Sequence, residues 1–122
     1  MSAALLVAPA VFFVLLGIQA TRVPSRLLHG FGIVASTPDA RNEVRAVYGG
    51  MPLALGAVFF VAMARPDLRA GIAVTGAAVC FGMAAWRGVS AVLDRRFGRW
   101  PMFWASVEIV LALLLAFVSA PF

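Results

Sequence analysis

The chain has 122 residues, 63% of them hydrophobic and 12% charged, which is far from the composition of a soluble globular protein. The length suits one domain and leaves little chain for a separate soluble one. All ten basic residues are arginine and the net charge is +5. In a soluble protein that balance would point to nucleic acid, but these arginines flank apolar segments, where lipid headgroups are the natural partner and nucleic acid is not expected.

Four apolar stretches run Ala3–Ala20, Val47–Ala64, Ala70–Trp86 and Met102–Phe122. At about 1.5 Å per helical residue each covers roughly 26–32 Å, which matches a hydrocarbon core of about 30 Å. The predicted fold class is therefore all-α, an integral membrane four-helix bundle. It is expected as a single transmembrane domain over residues 1–122, with helices at about 3–20, 38–64, 69–93 and 102–121. The first stretch ends on small residues, as a cleaved leader would. It lacks a preceding positive charge, so a retained helix is expected.

The first connection holds the apolar run Leu27–Ala35, too short to span and expected at the interface or dipping back into the protein. Its lone His29 is of a residue type that can carry protons, but as an interfacial histidine with no sequence partner it reads as a bystander. Gly30 and Gly32 do not form a phosphate loop, because no strand precedes them and a third glycine is missing. Then come Ser36, Thr37, Pro38 and Asp39. Thr37 as N-cap, Pro38 at the first helical position and Asp39 in the first turn predict a helix start near Pro38. Pro52 predicts a kink in that helix. Gly49, Gly50 and Gly56 in the second helix, and Gly71, Gly76 and Gly82 in the third, are candidates for close helix packing.

The two outer connections carry Arg22, Arg26, Arg41, Arg45 and Arg87, Arg95, Arg96, Arg99, against Arg65 and Arg69 in the short middle turn. The positive-inside rule places the outer connections in the cytoplasm and both termini outside. Trp86, Trp100 and Trp104 sit at helix ends and read as an aromatic belt. The single cysteine, Cys80, lies within the third stretch and reads as inert packing. No cluster of cysteine and histidine proposes a metal, and no cofactor motif is present.

Glu108 is the exception to this apolar pattern, about 9 Å into the last helix from Met102 at helical rise. An unpaired carboxylate in hydrocarbon costs several kcal/mol. Asn42 and Arg45 share a face of the second helix; Arg87, Ser90 and Asp94 share a face of the third. The topology brings these helix ends to the same membrane face as the start of the fourth. Glu108, Asp94, Arg45 and Arg87 are the candidate catalytic residues of such a pocket. Asn42, Tyr48, Ser90 and Trp104 are the candidates for ligand binding. Glu108 is expected to pair with Arg45 or Arg87, since arginine grips a carboxylate with two hydrogen bonds and stays charged.

The run Asn42-Glu43-Val44-Arg45-Ala46-Val47-Tyr48-Gly49-Gly50, then Leu53-Ala54-Leu55-Gly56, Arg87-Gly88-Val89-Ser90 with Asp94, and Glu108, resembles a family of small bacterial four-helix membrane proteins. That family is known as domain of unknown function 4345. The resemblance covers most of the chain from Thr37 onward. It implies the four-helix layout, the grouping of the polar residues and a multi-pass protein of the bacterial inner membrane, and supplies no mechanism.

Two functions fit these residues. One is a small acid–base enzyme of isomerase, cyclase or epoxide-opening type, acting on a lipophilic, terpenoid-like molecule that enters from the bilayer. The other is a non-catalytic membrane subunit or lipid-binding protein whose buried ion pairs are structural. Transport ranks last, because four short helices leave little room for alternating access unless the chain forms a homo-oligomer.

Overall fold

The computed structural model describes residues Ser2–Ala120. Helix accounts for 86% of the chain, with no strand among the described residues. Four helices, α1 (Ala3–Arg22), α2 (Pro38–Ala64), α3 (Pro66–Leu93) and α4 (Arg99–Ser119), are each long and apolar enough to cross a membrane. The protein is therefore an all-α, multi-pass membrane protein. The described residues form two compact units, one of Leu6–Val61 and one of residues 62–120 with 2–5.

In the Leu6–Val61 unit, prolines set the breaks. Pro9 has no N–H to offer the Leu5 carbonyl, and α1 is locally irregular at Leu6. The helix stops at Val23, whose φ of −132° and ψ of 61° suit a residue before proline. Pro24–Leu27 adds one helical turn and His29–Phe31 a 3₁₀ turn, closed by Gly32 at a φ of 76°. The apolar connection does fold back onto protein. Leu28 and Ala35 are buried with Ala20 of α1 and Val44 of α2, and Leu27, Phe31 and Ala40 pack against them. Ile33, Val34 and His29 remain exposed.

Helix α2 starts where its cap residues require. Thr37 Oγ1 accepts a hydrogen bond from the Ala40 N–H at 3.0 Å, and Pro38 takes the first helical position. Near Pro52, where a kink is expected, the helix carries a π-helical stretch, Arg45–Gly50, that ends two residues before the proline. The proline ring crowds the carbonyl one turn back, and a wider turn relieves that clash at the cost of one extra residue.

Helices α1 and α2 meet through glycine. A Cβ on Gly17 would lie 2.5 Å from Leu53 Cγ and 2.7 Å from the Gly49 carbonyl. One on Gly56 would lie 2.7 Å from Val14 Cγ2 and 3.0 Å from the Ala10 carbonyl. Backbone meets backbone here, which is how helices gain packing energy when lipid is as apolar as their side chains. Phe13 and Phe59 extend the contact, their ring centroids 5.8 Å apart. Gly49 and Gly56 thus perform the role expected of them, joined by Gly17. Gly50, Gly71 and Gly82 do not: Gly71 and Gly82 meet nothing within 4 Å, and Gly50 only its own helix.

In the second unit, Pro66 at the first helical position begins α3 three residues earlier than expected. Arg65 grips Asp67 with two exposed hydrogen bonds, of 3.0 and 2.7 Å. Arg69 turns back instead, donating from Nε to the Ala62 carbonyl and from Nη2 to the Met63 carbonyl, both at 3.1 Å. It caps the last orphan carbonyls of α2. Helix α3 ends in a Schellman motif: the Arg96 N–H bonds the Ala91 carbonyl at 3.0 Å and the Arg95 N–H bonds that of Val92 at 3.3 Å. The left-handed residue there is Arg95, with a φ of 51°, where glycine is the usual choice. Helix α4 begins at Arg99, so that Pro101 falls in a first turn whose N–H groups have no helical partner.

The glycine contacts yield a stability ranking. Gly17→Ala and Gly56→Ala should each lose about 1–3 kcal/mol through overpacking. Gly71→Ala should stay within about 1 kcal/mol of wild type, on the stabilising side, because alanine is the better helix former. Thermal unfolding in detergent tests the order, and equal melting temperatures for all three variants would refute the glycine contact.

Candidate functional site: a buried ion pair between α3 and α4

Helices α3 and α4 pack along their length. On α3 the buried residues Ala73, Ala77, Cys80 and Ala91 recur every three or four positions or multiples of them. On α4, Ala105, Glu108, Ala112 and Leu115 do the same. Such spacing marks one face of each helix. Small side chains on α3 let α4 come close. Arg87 lies on the α3 face seven residues beyond Cys80, and Glu108 lies on that of α4. The two charged residues of the seam meet each other.

Their geometry is bidentate. Arg87 Nε donates to Glu108 Oε2 at 2.9 Å and to Oε1 at 3.1 Å, and Nη2 donates to Oε1 at 2.7 Å. The Glu108 side chain is 5% exposed and that of Arg87 27% exposed. The carboxylate is thus inside the protein, while the arginine stem reaches it from the edge of the seam. Planarity lets one guanidinium hold both carboxylate oxygens, and this fixes both distance and rotation between the helices. The expected pairing of Glu108 is formed, with Arg87.

Arg45, the other arginine considered for Glu108, belongs to the Leu6–Val61 unit and is occupied there. Its Nε donates to the Thr21 carbonyl at 3.1 Å. That carbonyl is one of the orphans at the end of α1, so Arg45 acts as a cap just as Arg69 does. Thr21 Oγ1 in turn donates to the Gly17 carbonyl at 2.8 Å. Asn42 and Tyr48 are exposed on α2 of the same unit, Tyr48 within the π-helical stretch. Ser90 and Asp94 are exposed at the end of α3 and do not join the Arg87–Glu108 pair. Trp104 lies one turn before Glu108 on α4, half-buried, in edge contact with Trp100 and Phe103 at centroid distances of 5.9 and 5.4 Å.

Sequence reasoning missed Thr21, Gly17 and the capping roles of Arg45 and Arg69. A usable signal existed for Arg69, which lies one turn into the helix after a short turn and so within reach of the preceding helix end. Among the described residues, no group of three or more His, Cys, Asp or Glu side chains is placed to hold a metal ion.

An all-helical chain with four spans and one charged pair inside its second unit defines a small polytopic membrane protein. The model of the family described as "Domain of unknown function (DUF4345)" matches residues 1–119, and the chain belongs to that family. No curated protein and no solved structure matches it.

Removing one partner of the pair leaves the other charge buried. Arg87→Ala and Glu108→Gln should each destabilise, Arg87→Ala by about 3–5 kcal/mol. The double variant Arg87→Met/Glu108→Leu removes both charges at similar volume and should recover most of that loss. Melting temperatures of the three variants in detergent measure this, and additive losses in the double variant would exclude a coupled pair.

Proposed function

We propose that this chain is a non-catalytic membrane module, a subunit or scaffold of the bacterial inner membrane, in which the Arg87–Glu108 pair locks the α3–α4 hairpin. The observation carrying this reading is that one guanidinium engages both oxygens of the buried carboxylate, at 2.7–3.1 Å. A substrate proton would have to compete with Arg87 for either oxygen, and Ser90 and Asp94 are exposed at the end of α3. The pair answers the main cost of placing Glu108 in hydrocarbon and needs no reaction to account for it.

The second reading is an acid–base enzyme acting on a lipophilic, terpenoid-like substrate. It draws support from the burial of Glu108 at 4% exposure, an environment in which enzymes keep proton-transfer groups. The Arg87→Met/Glu108→Leu variant separates the two readings. Cells expressing the wild type and the folded double variant should give the same profile of extracted lipids and isoprenoids. A lipophilic compound that accumulates only with the folded double variant would overturn the structural reading.

The orientation proposed is that of the arginine asymmetry, with the first and third connections cytoplasmic. With Cys80 replaced by alanine, a Phe97→Cys variant should react with a membrane-impermeant maleimide only after the cells are permeabilised. Strong labelling in intact cells would reverse the topology.

A further inference from the structure

The structure divides arginines that the sequence treats alike. Arg45 and Arg69 cap helix ends, Arg65 holds Asp67 and Arg87 holds Glu108. Arg95, Arg96 and Arg99 are different. They cluster in the six residues from Asp94 to Arg99, all three are exposed, and none forms an ion pair among the described residues. Asp94 is the one acid among residues 88–107, so the segment carries a local excess of two positive charges. The remaining arginines, Arg22, Arg26 and Arg41, share their unit with Arg45, Asp39 and Glu43, so their excess of charge is spread over residues 22–45 instead of six consecutive positions.

The local electrostatics add to this excess. A helix N-terminus carries a partial positive charge, and α2 and α3 each place an acid in their first turn against it, Asp39 and Asp67. Helix α4 has no acid in its first turn and no side-chain cap at Gly98. Arg96 leans over this end: a Cβ on Gly98 would lie 4.0 Å from Arg96 Nε. Arg99 is itself the first helical residue. Guanidinium groups and a positive helix end thus crowd together in an arrangement that repels itself until an anion neutralises it.

The surroundings specify the kind of anion. Val92, Leu93 and Phe97 are 68%, 76% and 69% exposed beside the arginines. Trp100 stacks on Phe103, with centroids 5.7 Å apart, on the first turn of α4. An anion bound here has acyl-chain-compatible surface on both sides and interfacial aromatic rings alongside. We propose that the α3–α4 connection is a binding site for the phosphate of an anionic phospholipid headgroup, held by Arg95, Arg96 and Arg99. This site is separate from the Arg87–Glu108 pair and holds whether that pair is structural or catalytic.

The test uses purified full-length protein in mixed micelles containing either phosphatidylglycerol or phosphatidylcholine, with melting temperature and native mass spectrometry as readouts. The wild type should melt higher, and retain more lipid, with phosphatidylglycerol. Arg95→Gly/Arg96→Gln should lose roughly 30-fold in affinity for phosphatidylglycerol, about fivefold per guanidinium. Its Arg95→Gly half also relieves the left-handed strain at that position, which favours folding. Arg99→Gln, alone, should lose about fivefold. Arg22→Gln/Arg26→Gln should keep the full preference. The proposal falls if the two lipids protect equally or if the Arg95/Arg96 variant keeps its preference. It also falls if Arg22/Arg26 substitution removes the preference equally, or if inorganic phosphate at matched concentration protects as well as the lipid.

Discussion

Hydrocarbon offers no water to complete a hydrogen bond, and most of the polar detail in this protein answers that constraint. Thr21, Thr75, Ser106 and Ser119 turn their hydroxyls onto carbonyls of their own helix, three or four residues back, at 2.7–3.0 Å. Arg45 and Arg69 donate to carbonyls that the ends of α1 and α2 leave open. Arg87 gives both oxygens of Glu108 the hydrogen bonds that water would supply elsewhere. In each case the group that would be hydrated in a soluble protein is satisfied by a short reach along or between neighbouring helices. Arginine is well suited to several of these tasks, because one planar group donates in more than one direction.

The two units reach close helix packing by different routes. In the Leu6–Val61 unit, glycines let α1 and α2 touch backbone to backbone, and Arg45 reaches across to a carbonyl and not to a counter-charge. In the unit that follows, alanine, glycine and cysteine on α3 give α4 a shallow groove, and the ion pair adds a directional lock. Dispersion from close packing tolerates small rotations, whereas a bidentate arginine–carboxylate contact does not. The α3–α4 hairpin therefore has a defined register along its axis, and the glycine seam defines chiefly a distance.

The sequence carried the large features because they rest on local signals. Thr37, Pro38 and Asp39 announce a helix start by their own side chains, and the four spans follow from length and polarity. The Arg87–Glu108 pair was also within reach, since a carboxylate at that depth admits few partners. The expected convergence of Asn42, Arg45, Arg87, Asp94 and Glu108 rested on shared helix faces, and of these the structure joins Arg87 to Glu108. Sharing a helix face says nothing about which direction the face points, and Asn42, Tyr48, Ser90 and Asp94 are exposed. Glycine positions were ambiguous for a similar reason: Gly56 and Gly71 look alike in sequence, and only the neighbour across the contact distinguishes them. An arginine beside a span is equally compatible with a headgroup, a carboxylate or a carbonyl, so Arg45 and Arg69 as caps had to be seen.

The π-helical stretch Arg45–Gly50 sets the phase of α2. It accommodates one more residue than an α-helix of the same rise, and so offsets everything before it from everything after it by about 100° of rotation. Downstream of the offset, Leu53 and Gly56 face α1; at its start, Arg45 faces the Thr21 carbonyl. A regular helix would hold Arg45 and Gly56, eleven residues apart, within about 20° of one face, so the wider turn separates the capping arginine from the packing face. The extra residue thus divides α2 into two faces that meet the same neighbour, the glycine face by its backbone and Arg45 by the length of its side chain.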